Sequence, residues 1–426
     1  MFALIVPLLF AACDLGDIFS KEEAWSESAV DFAVEHQSDG FGFASQKRDI
    51  VNCMRRGSCT WFGLDVWEAR IYYTADGASR LEMSLYNRGD DKSTAGLAGD
   101  ELKSLLDAIA EKAQPGGKIG SNPEKKKLRN GGYQLFKSWN KGDNNVELAW
   151  GVSGAKAKDQ TADFVRVTVY PKGAKRPRSA TKSTPGIVSR TKVKANVKKN
   201  AEGDVWIDNV PMVDQGQKGY CAAATSERVL RYYGFDIDEH EIAQSAGTSA
   251  SAGTTIAGMK ETVRTVGSKC RLGYQEIVSM TTSFDAIAKD LEQYNKAAKA
   301  EGEPTLSMAS FTHGNMVNVG EMQAAMKPKV IKKMRMKDAR FKKFTAGVKA
   351  AVDQGIPVIW GVMLGIFPEP GLPQANGGHM RIIIGYNQKT HEILYTDSWG
   401  AGHELKRMPE DWAFAISNDV FFLKPL

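Results

Sequence analysis

Between Lys172 and Lys199 the chain carries ten Lys/Arg and no Asp or Glu, which more than accounts for its formal charge of +6. Like charges at this density repel and hydrate. With Pro177, Pro185 and several Ser and Thr, the stretch offers no apolar period, so 172–203 reads as a solvated, flexible tether. A chain divided there cannot build one continuous core. It must form two separately cored units, an N-terminal accessory domain over 14–171 and a C-terminal domain over 204–426, each long enough at roughly 100–200 residues per domain. The basic run lacks interleaved aromatics and any nucleic-acid-binding motif, so no nucleic-acid partner is expected.

Composition narrows the class further. With 42% hydrophobic and 25% charged residues in 426, the chain is neither disordered nor low-complexity, and five cysteines are too few for a stapled mini-fold. The longest uncharged apolar run, Phe2 to Ala12, falls short of the roughly 20 residues that span a bilayer. MFALIVPLLFAAC has the apolar body of a secretory signal ending in small residues, and Leu9 to Cys13 resembles a bacterial lipoprotein box with Cys13 as the lipidated residue. Residues 1–13 are therefore expected to act as a leader. An extracytoplasmic protein (periplasm, cell envelope or secreted) follows, with membrane anchoring through Cys13 as an option. The competing reading is a buried first helix or strand. In an oxidising compartment Cys53 and Cys59 are candidate disulfide partners; two reduced core cysteines are the alternative.

The N-terminal unit reads as a helix over 21–37, a hairpin WEARIYYTADGASRLEMSLYN turning at Asp76-Gly77, and a helix with Leu102, Leu105, Leu106 and Ile109 on one face. Strands follow near Tyr133–Trp139, Val146–Val152 and Phe164–Tyr170. The result is an α+β domain without a catalytic constellation. In the C-terminal unit helices come first, at Ala222–Tyr233, Asp238–Ser245, Thr255–Val266 (closed by Gly267) and Ser283–Ala300. Strands follow at PVIWGVML, HMRIIIGYN, EILYTDSW and VFFLK. This order gives an α+β fold in which a helical half faces an antiparallel sheet half. A second basic cluster, Lys327 to Lys349, reads as solvated helix faces backed by Val330, Met334, Phe341, Phe344 and Val348.

The chemistry concentrates in three short stretches. In VPMVDQGQKGYCAAATSERVLRYYG, Cys221 opens a helix, where free backbone N–H groups favour an anion and would stabilise a thiolate. Most buried cysteines are inert, so the residue matters only in company. Gln215, six residues earlier in a Gly-containing turn, could aim an amide at an oxyanion beside the sulfur; Gln217 is a nearer competitor. In GGHMRIIIGYN, His379 begins an apolar strand after two glycines, Gly378 leaving room for substrate. In YTDSWG, Asp397 ends the next strand, where it could orient that imidazole or simply cap a turn. Nucleophile, base, orienting group and oxyanion donor are the four needs of acyl transfer, and Cys221, His379, Asp397 and Gln215 supply them.

These motifs resemble those of papain-like cysteine peptidases: QGQKGYC their Gln-Gly…Cys motif, GGHMRIIIGYN their histidine strand, and DSWG their Asn-Ser-Trp-Gly motif. Asp in place of Asn, with Gln six before Cys, is closest to the bacterial peptidases resembling the bacteriocin (double-glycine) leader peptidase family. Lys218 stands where a cysteine is usual and no Trp follows Cys221. The resemblance spans Asp204 to about Phe422. It implies a papain-like two-part domain with Gln215 as oxyanion donor, Cys221 as nucleophile, His379 as general base and acid, Asp397 as orienting residue and Trp399 packing over the His–Asp pair.

The expected activity is hydrolysis of peptide or isopeptide bonds in a peptide or protein substrate through a Cys221 thioester, with no cofactor and no metal. Transglutaminase-like acyl transfer and a non-catalytic surface-anchored binding module are the alternatives. His391 and His403 flank Asp397 but lack the short spacing of a metal site. His240, among acidic neighbours, is expected to be exposed, and His36 and His313 to stand without companions.

Overall fold

A computed structural model describes residues 13–91, 96–119, 123–128, 132–154, 160–174, 188–216, 219–248, 254, 256–279, 283–314, 316–374 and 376–426. Residues 1–12 of the expected leader, residues 175–187 of the expected tether, Gln217 and Lys218 lie outside the described residues. The chain divides into two compact units. One comprises Met1–Pro177 with Gly216–Gly219 and Ala243–Gly253; the other comprises Arg178–Gln215, Tyr220–Ile242 and Thr254–Leu426. Both are α+β, and no helix among the described residues is long and apolar enough to cross a membrane.

The N-terminal unit is built on an eight-stranded antiparallel sheet in the order 42–43, 50–53, 68–74, 77–87, 161–171, 144–153, 133–141, 124–127. The expected hairpin is there, with Thr74 paired to Gly77. Gly77 has φ +112°, and a Cβ on it would stand 2.3 Å from the Trp25 carbonyl oxygen, so only glycine fits. The helix Gly99–Ala113 buries Leu102, Leu106 and Ile109, with Leu105 half-buried. The helix expected over 21–37 is two short ones, Glu22–Ser26 and Ala29–Glu35, because Ser28 is extended and its side chain accepts from the Asp31 N–H, starting a new helix.

In the C-terminal unit the sheet order is Val197–Lys199, Asp204–Ile207, Gly377–Asn387, Val358–Leu364, Ser417–Pro425, Leu272–Ser279; Glu392–Thr396 also pairs with Gly377–Asn387 and, on its other side, with Lys406–Pro409. All these pairings are antiparallel. Part of the stretch read as tether is thus folded. Arg190–Ala195 is a helix that buries Val193, the Arg190 guanidinium donates to the Pro425 carbonyl, and Val197–Lys199 is an edge strand. Lysines are common guards of sheet edges, and their charge masked the two valines in the sequence.

The Cys221–Tyr232 helix packs on the Gly377–Asn387 strand. The helix expected to stop before Gly267 continues to Lys269; a Cβ on Gly267 would lie 2.9 Å from Leu423 Cδ2, so this glycine serves close packing against the C-terminal strand. The helix Phe284–Glu301 ends on Gly302 in the left-handed conformation. Val330, Met334, Phe344 and Val348 of the second basic cluster are buried as expected, on the helices Pro328–Arg335 and Arg340–Val352, with Phe341 half-buried.

Gly77→Ala is expected to lower the stability of the N-terminal unit by roughly 1–3 kcal/mol, because strained φ and steric overlap add. Gly57, also at positive φ but facing open space, should lose less on the same change. Urea midpoints with unchanged m-values decide the comparison.

Candidate active site

Cys221 is the first residue of its helix, and the turn before it offers no side chain to cap the helix start. The helix is fastened to the sheet by polar side chains. Thr225 Oγ1 donates to the Met380 carbonyl at 3.2 Å. The fully buried Arg228 donates from Nη1 to the Asp397 carbonyl (2.6 Å), from Nη2 to Thr396 Oγ1 (2.7 Å) and from Nε to the Pro211 carbonyl (2.7 Å). The helix start is thereby held against the strand carrying His379.

His379 is buried, facing Val362 in the ladder. Its Nε2 lies 3.0 Å from Asp397 Oδ1, and its ring stacks on Trp399 at 4.1 Å between centroids and 3° between planes. Burial pushes the Cys221 thiol up, but the neighbouring His379 and the backbone N–H groups of Met380 and Ala222 outweigh it and hold the thiol below its ordinary value. The imidazole moves the other way. Burial disfavours its charged form, yet Asp397 and Cys221 raise its pKa. Opposite shifts in a neighbouring thiol and imidazole move the pair toward thiolate and imidazolium. Cys221 keeps a partly exposed edge, so a reagent can reach it.

Asp397 is completely buried, which alone would raise its pKa. The hydrogen bond to His379 and the charges of Arg381 and Lys406 reverse that and lower it to about 2. Arg381 Nε is 2.8 Å from Asp397 Oδ1 and Lys406 Nζ 3.7 Å from Oδ2; Arg381 Nη1 also meets Glu369 Oε2 at 2.8 Å, which accepts from the Tyr395 hydroxyl at 2.7 Å. Gln215, also buried, donates its N–H to the Ser398 carbonyl (2.9 Å), and its Oε1 accepts from Ser398 Oγ at 2.6 Å. That bond assigns the amide oxygen to Ser398 and leaves Nε2 as the donor end. Gly378 is exposed, with nothing within 4 Å of the Cβ it lacks.

Cys221, His379, Asp397 and Trp399 thus come together from three elements far apart in sequence, with Gln215 bonded to the residue following Asp397. His391 is exposed, 4.0 Å from Glu410, while His403 stands edge-on to Trp399 at 5.6 Å. His240 is buried rather than exposed: Asp238 caps its backbone N–H and meets its Nδ1 at 2.7 Å, keeping the ring inside.

In the N-terminal unit the strand residues Cys13 and Cys59 face each other in a parallel ladder, and Cys53 and Cys59 are free thiols, Cys53 donating to the Asp39 carbonyl at 3.6 Å. His36 has companions after all, with Asp39 at 3.0 Å and Cys13 close enough for the three to hold a metal ion.

Four residues of the site escaped the sequence reading. Arg381 carried a usable signal, lying two residues after His379 on the same strand face. Ser398 lay inside the DSWG motif. Arg228 and Lys406 looked like solvated cations, and nothing local set them apart.

Two family models match this unit: the Peptidase C39 family over residues 209–293 and the Peptidase C39 like family over residues 272–417. The unit is therefore a cysteine peptidase domain similar to the Peptidase C39 and C39 like families over residues 209–417. Among solved structures the chain is similar to the peptidase domain of Streptococcus ComA, a bifunctional ABC transporter involved in a quorum-sensing pathway (13% identity, 51% of this chain and 100% of that one, TM-score 0.26). It is also similar to xylellain, a cysteine protease from Xylella fastidiosa (13%, 57% and 91%, 0.28). No curated protein matches.

Asp397, held below its ordinary 3.8, contributes stability that is present above about pH 4 and lost as the pH falls toward 2. Arg381→Met leaves this buried carboxylate short of a cation and should cost about 3–5 kcal/mol at neutral pH. Denaturant unfolding at pH 7 and at pH 3 measures both effects, and the penalty should shrink at the lower pH, where Asp397 can take up a proton.

Proposed function

We propose that the C-terminal unit hydrolyses peptide or isopeptide bonds by nucleophilic acyl transfer from Cys221. What supports this reading is the placing of Cys221 at a helix N-terminus against a strand whose His379 is bonded to the buried Asp397, with the thiol lowered and the imidazole raised from their ordinary values. The thiolate attacks the scissile carbonyl carbon, and the electron pair moves onto its oxygen. The Cys221 backbone N–H and the Gln215 amide stabilise this oxyanion, Ser398 fixing the amide's orientation. Collapse breaks the C–N bond as imidazolium protonates the departing amine, leaving a thioester. His379 then takes a proton from water, whose oxygen attacks the thioester; on collapse the acid product leaves and the thiolate is regenerated. Asp397 holds one tautomer and balances the imidazolium charge, while Trp399 covers the pair against solvent.

Cys221→Ala should abolish turnover, and Gln215→Ala should lower kcat on the order of 10²–10³, the usual cost of one oxyanion donor. Asp397→Ala should be milder than His379→Ala, since orientation is part of the base's function. Undiminished turnover by purified Cys221→Ala would exclude the mechanism. The pH dependence offers a separate check. Iodoacetamide should modify Cys221 well below pH 8.5, the ordinary thiol value. In His379→Ala the same profile should move to higher pH, because burial then loses the chief group that opposes it.

A further inference from the structure

A cleft of about 900 Å³ runs from the helix Phe284–Glu301 to Gly378, the residue next to His379. One wall is a single face of that helix, on which Lys289, Gln293 and Lys296 follow at helical spacing. The other wall includes Met334 and Lys337, and the floor includes Met322 and Met363, the latter paired with Gly378 in the ladder. Resting on the peptidase reading of the site it adjoins, we propose that this cleft is the substrate-recognition groove and that it selects an acidic peptide segment bearing a large apolar side chain.

Charge is the first argument. The acidic residues lining the cleft, Asp290 and Asp338, are spent. Both Asp290 oxygens accept from Arg335 at 2.9 and 2.8 Å, and both Asp338 oxygens accept from Arg340. Lys333 is paired with Glu301. Lys289, Lys296 and Lys337 are exposed and have no carboxylate partner among the described residues, so the cleft presents net positive charge to a ligand. Side-chain chemistry is the second. Met322, Met334 and Met363 are buried at 1%, 7% and 9% exposure. Methionine is flexible and polarisable, which suits a lining that accepts varied apolar side chains. The third is position: the cleft reaches Gly378, next in sequence to His379, and with no Cβ at Gly378 that end of the cleft is left open.

The test uses full-length Cys221→Ala protein, so that peptide is not consumed, and two fluorescein-labelled peptides of identical pattern, one built from Glu and Leu and the other from Lys and Leu. Fluorescence anisotropy should give binding of the Glu/Leu peptide about tenfold tighter than the Lys/Leu peptide at low salt, with the difference shrinking at high salt. Lys289→Glu with Lys296→Glu and Lys337→Glu should abolish or invert the preference. The corresponding triple Lys→Gln protein, which introduces no repulsion, should weaken it and serves if the charge reversal fails to fold. Equal affinity for the two peptides, or a preference that survives both triple variants, overturns the proposal.

Catalysis is read separately, on the protein retaining Cys221 with a peptide library. Cuts biased toward one side of Asp or Glu support the groove, and cuts without that bias count against it while leaving the peptidase reading intact. Selective binding of the Glu/Leu peptide with no cleavage and an unreactive Cys221 sinks the peptidase reading and leaves the anionic preference of the cleft standing.

Discussion

Asp397 is a full negative charge with no access to water, and the architecture of the C-terminal unit is organised around keeping it there. A buried, unpaired carboxylate would protonate or expel the segment that carries it. Here Arg381 and Lys406 flank the carboxylate, His379 hydrogen bonds to it, and Arg228 binds the carbonyl of the same residue. These groups come from the 377–387 strand, the 406–409 strand and the Cys221 helix, so satisfying one charge fastens three elements. The same bonds that solve the solvation problem fix the imidazole ring, which is why the proposed orienting role needs no further device.

The buried polar bonds of the Cys221 helix serve the same end. Helix and sheet could pack through apolar contacts alone, as Ala223, Val229 and Leu230 do. Apolar contacts, though, tolerate sliding by fractions of a residue. The Thr225 and Arg228 bonds to the backbone of Met380 and Asp397 do not, because each has a narrow range of length and angle. A thiol that must meet a ring nitrogen needs that kind of registration. The cost is a guanidinium removed from water, offset by three acceptors at 2.6–2.7 Å.

Legibility from sequence followed the range of the forces involved. Local signals were read well: strand alternation around Asp76-Gly77 and the apolar face of Gly99–Ala113. Misreadings arose where a residue's meaning depended on a distant partner. Gly267 looked like a stop signal until Leu423 supplied the reason for its missing side chain. His240 looked solvated because Asp238 was counted as surface charge and not as its buried partner. Val193 and Val197 were hidden by flanking lysines, since an edge strand and a tether share that composition. Arg228 and Lys406 were beyond reach for the same reason: nothing in a helix or strand pattern says which of many cations will be dehydrated.

Charge placement also separates two basic stretches that look alike in composition. Around the helices Pro328–Arg335 and Arg340–Val352 half of the ten cations from Lys327 to Lys349 are neutralised from outside their own run: Lys329 and Lys333 meet Glu301, Lys332 meets Asp411, Arg335 meets Asp290 and Lys349 meets Glu410. Those pairs tie the helices to the rest of the unit. Against that background Lys337, left without a carboxylate across a methionine floor from Lys289 and Lys296, is better placed to act on a ligand than on the fold. An exposed cation contributes little to stability, so a cluster of them at a cleft is neutral for folding. Its effect falls on whatever enters, where several weak attractions sum and set both the approach and the register of an anionic chain.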